Sequence, residues 1–128
     1  MTIKLHNPKS VMLAGKYSLG AEVEPGARLL YVSGQVGLDS RGKLGAGIEK
    51  QVELTWKNIG QVLKSAGMTY KNIVKINGYI TDSRYLTAYR EVRGRFVDAP
   101  YPASTLVVVS GLADPGMLVE IEVVAAKK

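Results

Sequence analysis

The chain has 128 residues, 46% of them hydrophobic and 22% charged, enough to bury a core and ordinary for one globular domain. It has no cysteine, which excludes a disulfide framework, a thiol nucleophile and a thiolate metal site; its one histidine, His6, excludes a multi-histidine metal cluster. The 17 Lys and Arg outnumber the 11 Asp and Glu for a net +6, yet they are scattered, without the basic-aromatic pattern of a specific nucleic-acid site.

Residues 1–12 read as an extended opening segment with a turn at Asn7-Pro8 and no apolar signal core. No apolar run anywhere reaches the ~18 residues of a membrane span, so the expectation is a cytoplasmic domain spanning 1–128 with no membrane partner. A loop from Leu13 leads to a short strand ending at Val23. Pro25-Gly26 is a turn and Arg28-Leu29-Leu30-Tyr31-Val32-Ser33 a second strand, so residues 17–33 are predicted to form a β-hairpin. That strand runs out in Ser33-Gly34-Gln35-Val36-Gly37, where Gly34 marks either a simple bulge or a point where another molecule approaches the backbone. Asp39 to Lys43 is a polar turn.

Ile48, Val52, Trp56, Ile59, Leu63 and Ala66 then step by three or four residues, the stripe of an amphipathic helix that Gly67 ends; Trp56 reads as core. Ile73 to Ile80 alternates as a strand with Val74, Ile76 and Ile80 inward. Asp82 or Ser83 caps a second helix from Arg84 to Val97, its stripe Leu86, Tyr89, Val92 or Arg93, and Phe96. Pro100 and Pro102 end it. Two β-branched runs follow, Pro102 to Val109 and Met117 to Val124, around a Gly/Pro/Asp-rich loop. In the second run Val119, Ile121 and Val123 share one face, Glu120 and Glu122 the other. Glu120 therefore belongs either to a solvated face or to a pocket wall.

The order β-β-α-β-α-β-β predicts an α+β fold with two helices on one face of a mixed sheet. The opposite face, expected to carry Leu106 and Val108 beside the Glu120 face of the neighbouring strand, calls for a partner, and a homo-oligomer follows.

Five short motifs in this order resemble the RidA (YjgF) proteins, formerly called endoribonuclease L-PSP. Gly15-Lys16-Tyr17-Ser18 is similar to that family's Gly-Pro-Tyr-Ser, and Val32-Ser33-Gly34-Gln35-Val36 to its Val-Ser-Gly-Gln-Ile. Ile73-Val74-Lys75 through Thr81-Asp82, Pro102-Ala103, and Val119-Glu120-Ile121-Glu122 match its later signatures. The resemblance implies a chorismate-mutase-like fold, a homotrimer around a β-lined barrel, and small-molecule pockets at subunit interfaces. It also implies a metal- and cofactor-independent hydrolase that converts reactive enamines or imines, typically 2-imino acids, to 2-oxo acids and ammonia. In that chemistry Glu120 orients or deprotonates a water, Tyr17 closes the pocket, and the backbone at Ser33 and Gly34 anchors ligand polar atoms.

Two departures bear on substrate. Where the deaminating members carry a carboxylate-binding arginine after Pro-Ala this chain has Ser104, and where many have cysteine it has Leu106. Both are expected to line the pocket and to favour a substrate other than the usual 2-imino acids. Arg90, at the family's asparagine position, either relocates the lost cation or is a solvated helix residue. The alternative reading is a metabolite-binding trimer without turnover. A ribonuclease comes third, because no interior histidine is available as acid and base.

Overall fold

The computed structural model describes residues 2–128. Its elements are β1 (Ile3–His6), β2 (Gly20–Val23), β3 (Arg28–Val36), α1 (Gly47–Ser65), β4 (Ile73–Ile80), α2 (Leu86–Arg93), β5 (Ala103–Val108) and β6 (Val119–Lys127). Four strands form one mixed sheet in the order β3-β6-β4-β5, with β4 and β5 parallel and the other pairs antiparallel. The α+β architecture with both helices on one sheet face is as the sequence predicts, with one further strand at the N-terminus.

That strand overturns the predicted hairpin. The turn at Pro25-Gly26 exists, with Gly26 at φ +85, but β2 pairs back onto β1 in a separate two-stranded sheet and β3 pairs with β6. β2 has only four residues, whereas β3 has nine and must bring Leu30 and Val32 onto the helix-covered face; the nine-residue β6 offers a partner of matching length.

α1 carries the predicted stripe inward: Val52, Trp56, Ile59 and Leu63 are fully buried. Gly67, at φ +72, ends it in a Schellman motif, its N–H donating to the Lys64 carbonyl and that of Met68 to the Leu63 carbonyl. The second helix is shorter than the predicted 84–97. A 3₁₀ turn capped by the Asp82 carboxylate precedes α2, and beyond Gly94 the chain tightens to bring Phe96 against Trp56 and Tyr70, centroids 6.3 and 5.6 Å away.

Register assigns the faces. Ile76, Gly78 and Ile80 of β4 stand beside Val123, Ile121 and Val119 of β6, all under the helices. Leu106 pairs with Gly78 and Val108 with Ile80, so both point to the side of the sheet that carries the helices, not to the open side as predicted, with Val108 itself 54% exposed. The phase of β5 is one residue from the predicted one, and its neighbour is β4, not β6. The open face carries Thr105 and Val107 of β5 with Lys75, Asn77 and Tyr79 of β4, Glu120 and Glu122 of β6, and Leu29 and Tyr31 of β3.

Tyr89 of α2 fills the space above Gly78, where any β-carbon would overlap its hydroxyl oxygen. That hydroxyl is buried and, among the described residues, unbonded; burial pushes its pKa up to about 12. With the folded pKa above the unfolded value of ~10, the unfolded chain releases the proton first, so Tyr89 costs stability as pH rises from about 10 towards 12. Tyr89→Phe is expected to cost less than ~1 kcal/mol at neutral pH, or to stabilise. In urea unfolding followed from pH 8 to 11.5 it should also flatten the alkaline loss of stability relative to the parent chain.

Candidate active site

β3 bulges between Val32 and Gln35, and the two residues in the bulge are Ser33 and Gly34. Gly34 is not at positive φ; it is needed for space, because a β-carbon there would collide with the Glu120 carboxylate of β6. Of the two alternatives for Gly34 the structure shows the bulge, and the group that approaches it here is a side chain of the same chain. Glu120 is partly exposed on the open face and, among the described residues, makes no hydrogen bond or ion pair. Its neighbour Glu122 differs, accepting a 3.0 Å hydrogen bond from the Tyr79 hydroxyl, which pushes the Tyr79 pKa up.

Two polar side chains of α1 hold this region in register, and the apolar stripe did not point to either. Gln51, only 2% exposed, donates to the Gly45 and Gly116 carbonyls at 3.1 and 3.0 Å and accepts from the Leu118 N–H at 2.8 Å. Asn58 donates to the Val36 and Leu38 carbonyls. One helix thus ties the exit of β3 to the start of β6. A fully buried glutamine amide implies loops on both sides, a signal that polarity at an inward position could have given.

The remaining anticipated residues gather at the other edge of the sheet. Ser18 bridges to Ala103 beside the start of β5, its N–H donating to the Pro102 carbonyl and its hydroxyl to that of Tyr101. This anchors the segment carrying Tyr17, which is partly buried. Ser104, on β5, meets a guanidinium, but not that of Arg90, which is exposed. One turn on, Arg93 directs Nη1 to the Ser104 hydroxyl and Nη2 to the Lys16 carbonyl, both at 3.4 Å. Leu106 packs against the core cluster, which leaves it a wall residue at most.

The candidate residues thus form two groups. Ser33, Gly34 and Glu120 lie on β3 and β6 at the open face; Ser104, Arg93 and the Tyr17 segment lie along β5, with Ser104 on the opposite face. β6 and β5 are separated by β4, so the groups stand two strand spacings, roughly 10 Å, apart and back to back. They cannot meet within one protomer. Cavities of about 580 and 270 Å³ occur elsewhere, around Tyr70, Phe96 and Pro100 and between β1 and Tyr101, lined by none of these residues. Among the described residues no group of His, Asp and Glu is placed to hold a metal ion, and no helix is long and apolar enough to cross a membrane.

The chain matches the endoribonuclease L-PSP family over residues 8–127. It belongs to that family, the RidA/YjgF proteins. It is 36% identical to a RutC family protein of Aquifex aeolicus over 127 residues, 97% of this chain and 98% of that one. It is 33% identical to the 2-iminobutanoate/2-iminopropanoate deaminase of Mus musculus over 121 residues, 93% of this chain and 87% of the relative. The solved structure of the Rid-family protein YyfB from Yersinia pestis superposes with a TM-score of 0.88 at 27% identity, covering 99% of this chain and all of that one. In this RidA-family chain the bulge at Ser33-Gly34 and the glutamate of β6 are mutually fitted, which makes a direct test possible. Gly34→Ala should displace the Glu120 carboxylate, seen as a shift of its side-chain carbon resonance. Because the far end of a flexible side chain can yield, unfolding free energy should fall by less than ~1 kcal/mol.

Proposed function

We propose that this protein hydrolyses reactive enamine or imine intermediates to a carbonyl product and ammonia, at pockets formed between the subunits of a homotrimer. The observation that carries this reading is the Glu120 carboxylate, presented on the open sheet face against Gly34 with no partner among the described residues. Imine deaminases among its relatives support the reaction class. An enamine first tautomerises to the imine. Water then adds to the imine carbon as Glu120 takes one of its protons and passes it to the nitrogen; the hydroxyl of the resulting carbinolamine gives up the second proton, by way of Glu120, to the nitrogen as the carbon–nitrogen bond breaks, releasing ammonia and leaving the carbonyl. The carbon is electrophilic from the start, so a positioned water, a proton acceptor and a closed pocket suffice. Tyr17 would close that pocket, and the backbone at Ser33 and Gly34 would hold ligand polar atoms.

Assembly follows from the same geometry. Tyr31 is 72% exposed and Leu29 50%, and Val107 is exposed on the same uncovered face, an apolar content that association would bury. A neighbouring copy could bring its Glu120 group against the β5 edge of the first, joining the two groups that one protomer keeps apart. A second reading, metabolite binding without turnover, draws on Ser104: a neutral hydroxyl is a poor substitute for a charged clamp on a 2-imino acid, so the natural substrate is expected to sit differently from the usual ones.

The test generates 2-iminopropanoate in situ and follows its decay. The native chain should accelerate it, and Glu120→Gln should lower the rate by ~100-fold or more. Light scattering should find three protomers. Undiminished turnover in Glu120→Gln would remove Glu120 from the chemistry. Activity confined to a Ser104→Arg variant would favour the binding reading.

A further inference from the structure

Arg93 is a partly buried cation with, among the described residues, no carboxylate in contact. Its two bonds, to the Ser104 hydroxyl and the Lys16 carbonyl, are both 3.4 Å, longer than a well-formed N–H···O bond, and both go to neutral acceptors. The nearby charges are of the same sign: Lys16 on the facing segment and Arg90 one turn back. On α2 itself Glu91 faces Arg95, at 3.7 Å. Tyr89 lies close enough to feel the Arg93 charge, but burial keeps its hydroxyl neutral. A guanidinium with five donors, partly withdrawn from water and answered by two loose neutral contacts, is set to accept an anion. Its position selects which one. It lies at the β5 edge beside Ser104 and the segment that carries Tyr17, with planar donors suited to a carboxylate and a hydroxyl beside them.

We propose that Arg93 is the carboxylate-binding residue of this protein: a small 2-imino or 2-enamino acid docks its carboxylate on Nη1 and Nη2, with the Ser104 hydroxyl as an additional donor. The inference rests on the reading of the site as an imine-hydrolysing one, and it narrows the substrate to acids. The cation stands on the helix and reaches the edge of the sheet from beneath. Ser104 then has a reason to be small: a longer side chain there would occupy the space into which the guanidinium projects.

The experiment compares pyruvate, a product-like acid, with its neutral amide of nearly the same shape, by calorimetry on the intact assembly. The native protein should prefer pyruvate by about tenfold or more. Arg93→Met should reduce pyruvate binding to the level of the amide and leave the amide unchanged; Arg93→Lys should restore part of the preference, keeping charge but not the planar fork. Equal binding of the two ligands by the native protein, or a preference that survives Arg93→Met, would overturn the proposal. So would dissociation of the Arg93→Met assembly under conditions where the native one persists, because Arg93 would then be holding a subunit rather than a ligand. If the native protein fails to hydrolyse 2-iminopropanoate but keeps an Arg93-dependent preference, the carboxylate site stands and the hydrolase reading falls.

Discussion

Strand β6 lies inside the sheet with α1 and α2 packed on one side of it, and its alternation leaves no choice about the other. Val119, Ile121 and Val123 are at most 2% exposed, so each residue between them must project from the opposite face. A slip of one residue would bury two carboxylates among Trp56, Ile59 and Leu63, at a cost that dispersion and burial could not offset. The hydrophobic core thereby fixes the direction of Glu120. The bulge in β3 completes the arrangement by removing a side chain at the one point where the carboxylate needs room.

The second constraint is local to the β5 edge. α2 has only eight residues; its inward stripe ends in buried Val92, and Arg93 stands beside it, only partly buried. A leucine at position 93 would add apolar contact; an arginine there places charge in a partly buried setting without a counter-ion among the described residues, an arrangement that favours binding over stability. The same trade is visible across the open face, where exposed Tyr31, Leu29 and Val107 sit among Lys75, Asn77 and the two glutamates. A wholly apolar face would be a core cut in half; this mixed one can be covered and still leave polar groups in any cleft that results.

Separate elements therefore hold the two halves of the site, each by its own means. Buried Gln51 and partly buried Asn58 of α1 set the β3–β6 half by hydrogen bonds to backbone. Ser18 sets the β5 half by bridging two distant parts of the chain. The aromatic cluster of Trp56, Tyr70 and Phe96 ties α1 to the segments that follow each helix.

Periodicity alone determined the two helices, their inward faces, the inward residues of β6 and the class of fold, because each of these depends on neighbours within one or two turns of chain. The family motifs were legible for the same reason: they are contiguous. Strand pairing was not. β2 chose β1 over β3, and β5 took β4 as its neighbour, because pairing is decided by which long strands can share one buried face, a property of the whole sheet. Nor could spacing distinguish Arg90 from Arg93. Both lie on α2, and the stripe left open whether Val92 or Arg93 turns inward; the structure turns Val92 in and leaves Arg93 at the margin. Which arginine reaches Ser104 depends on the rotation of an eight-residue helix against a strand ten residues further on, and rotation is set by packing: Tyr89 must lie over Gly78, and Arg93 goes where that contact sends it.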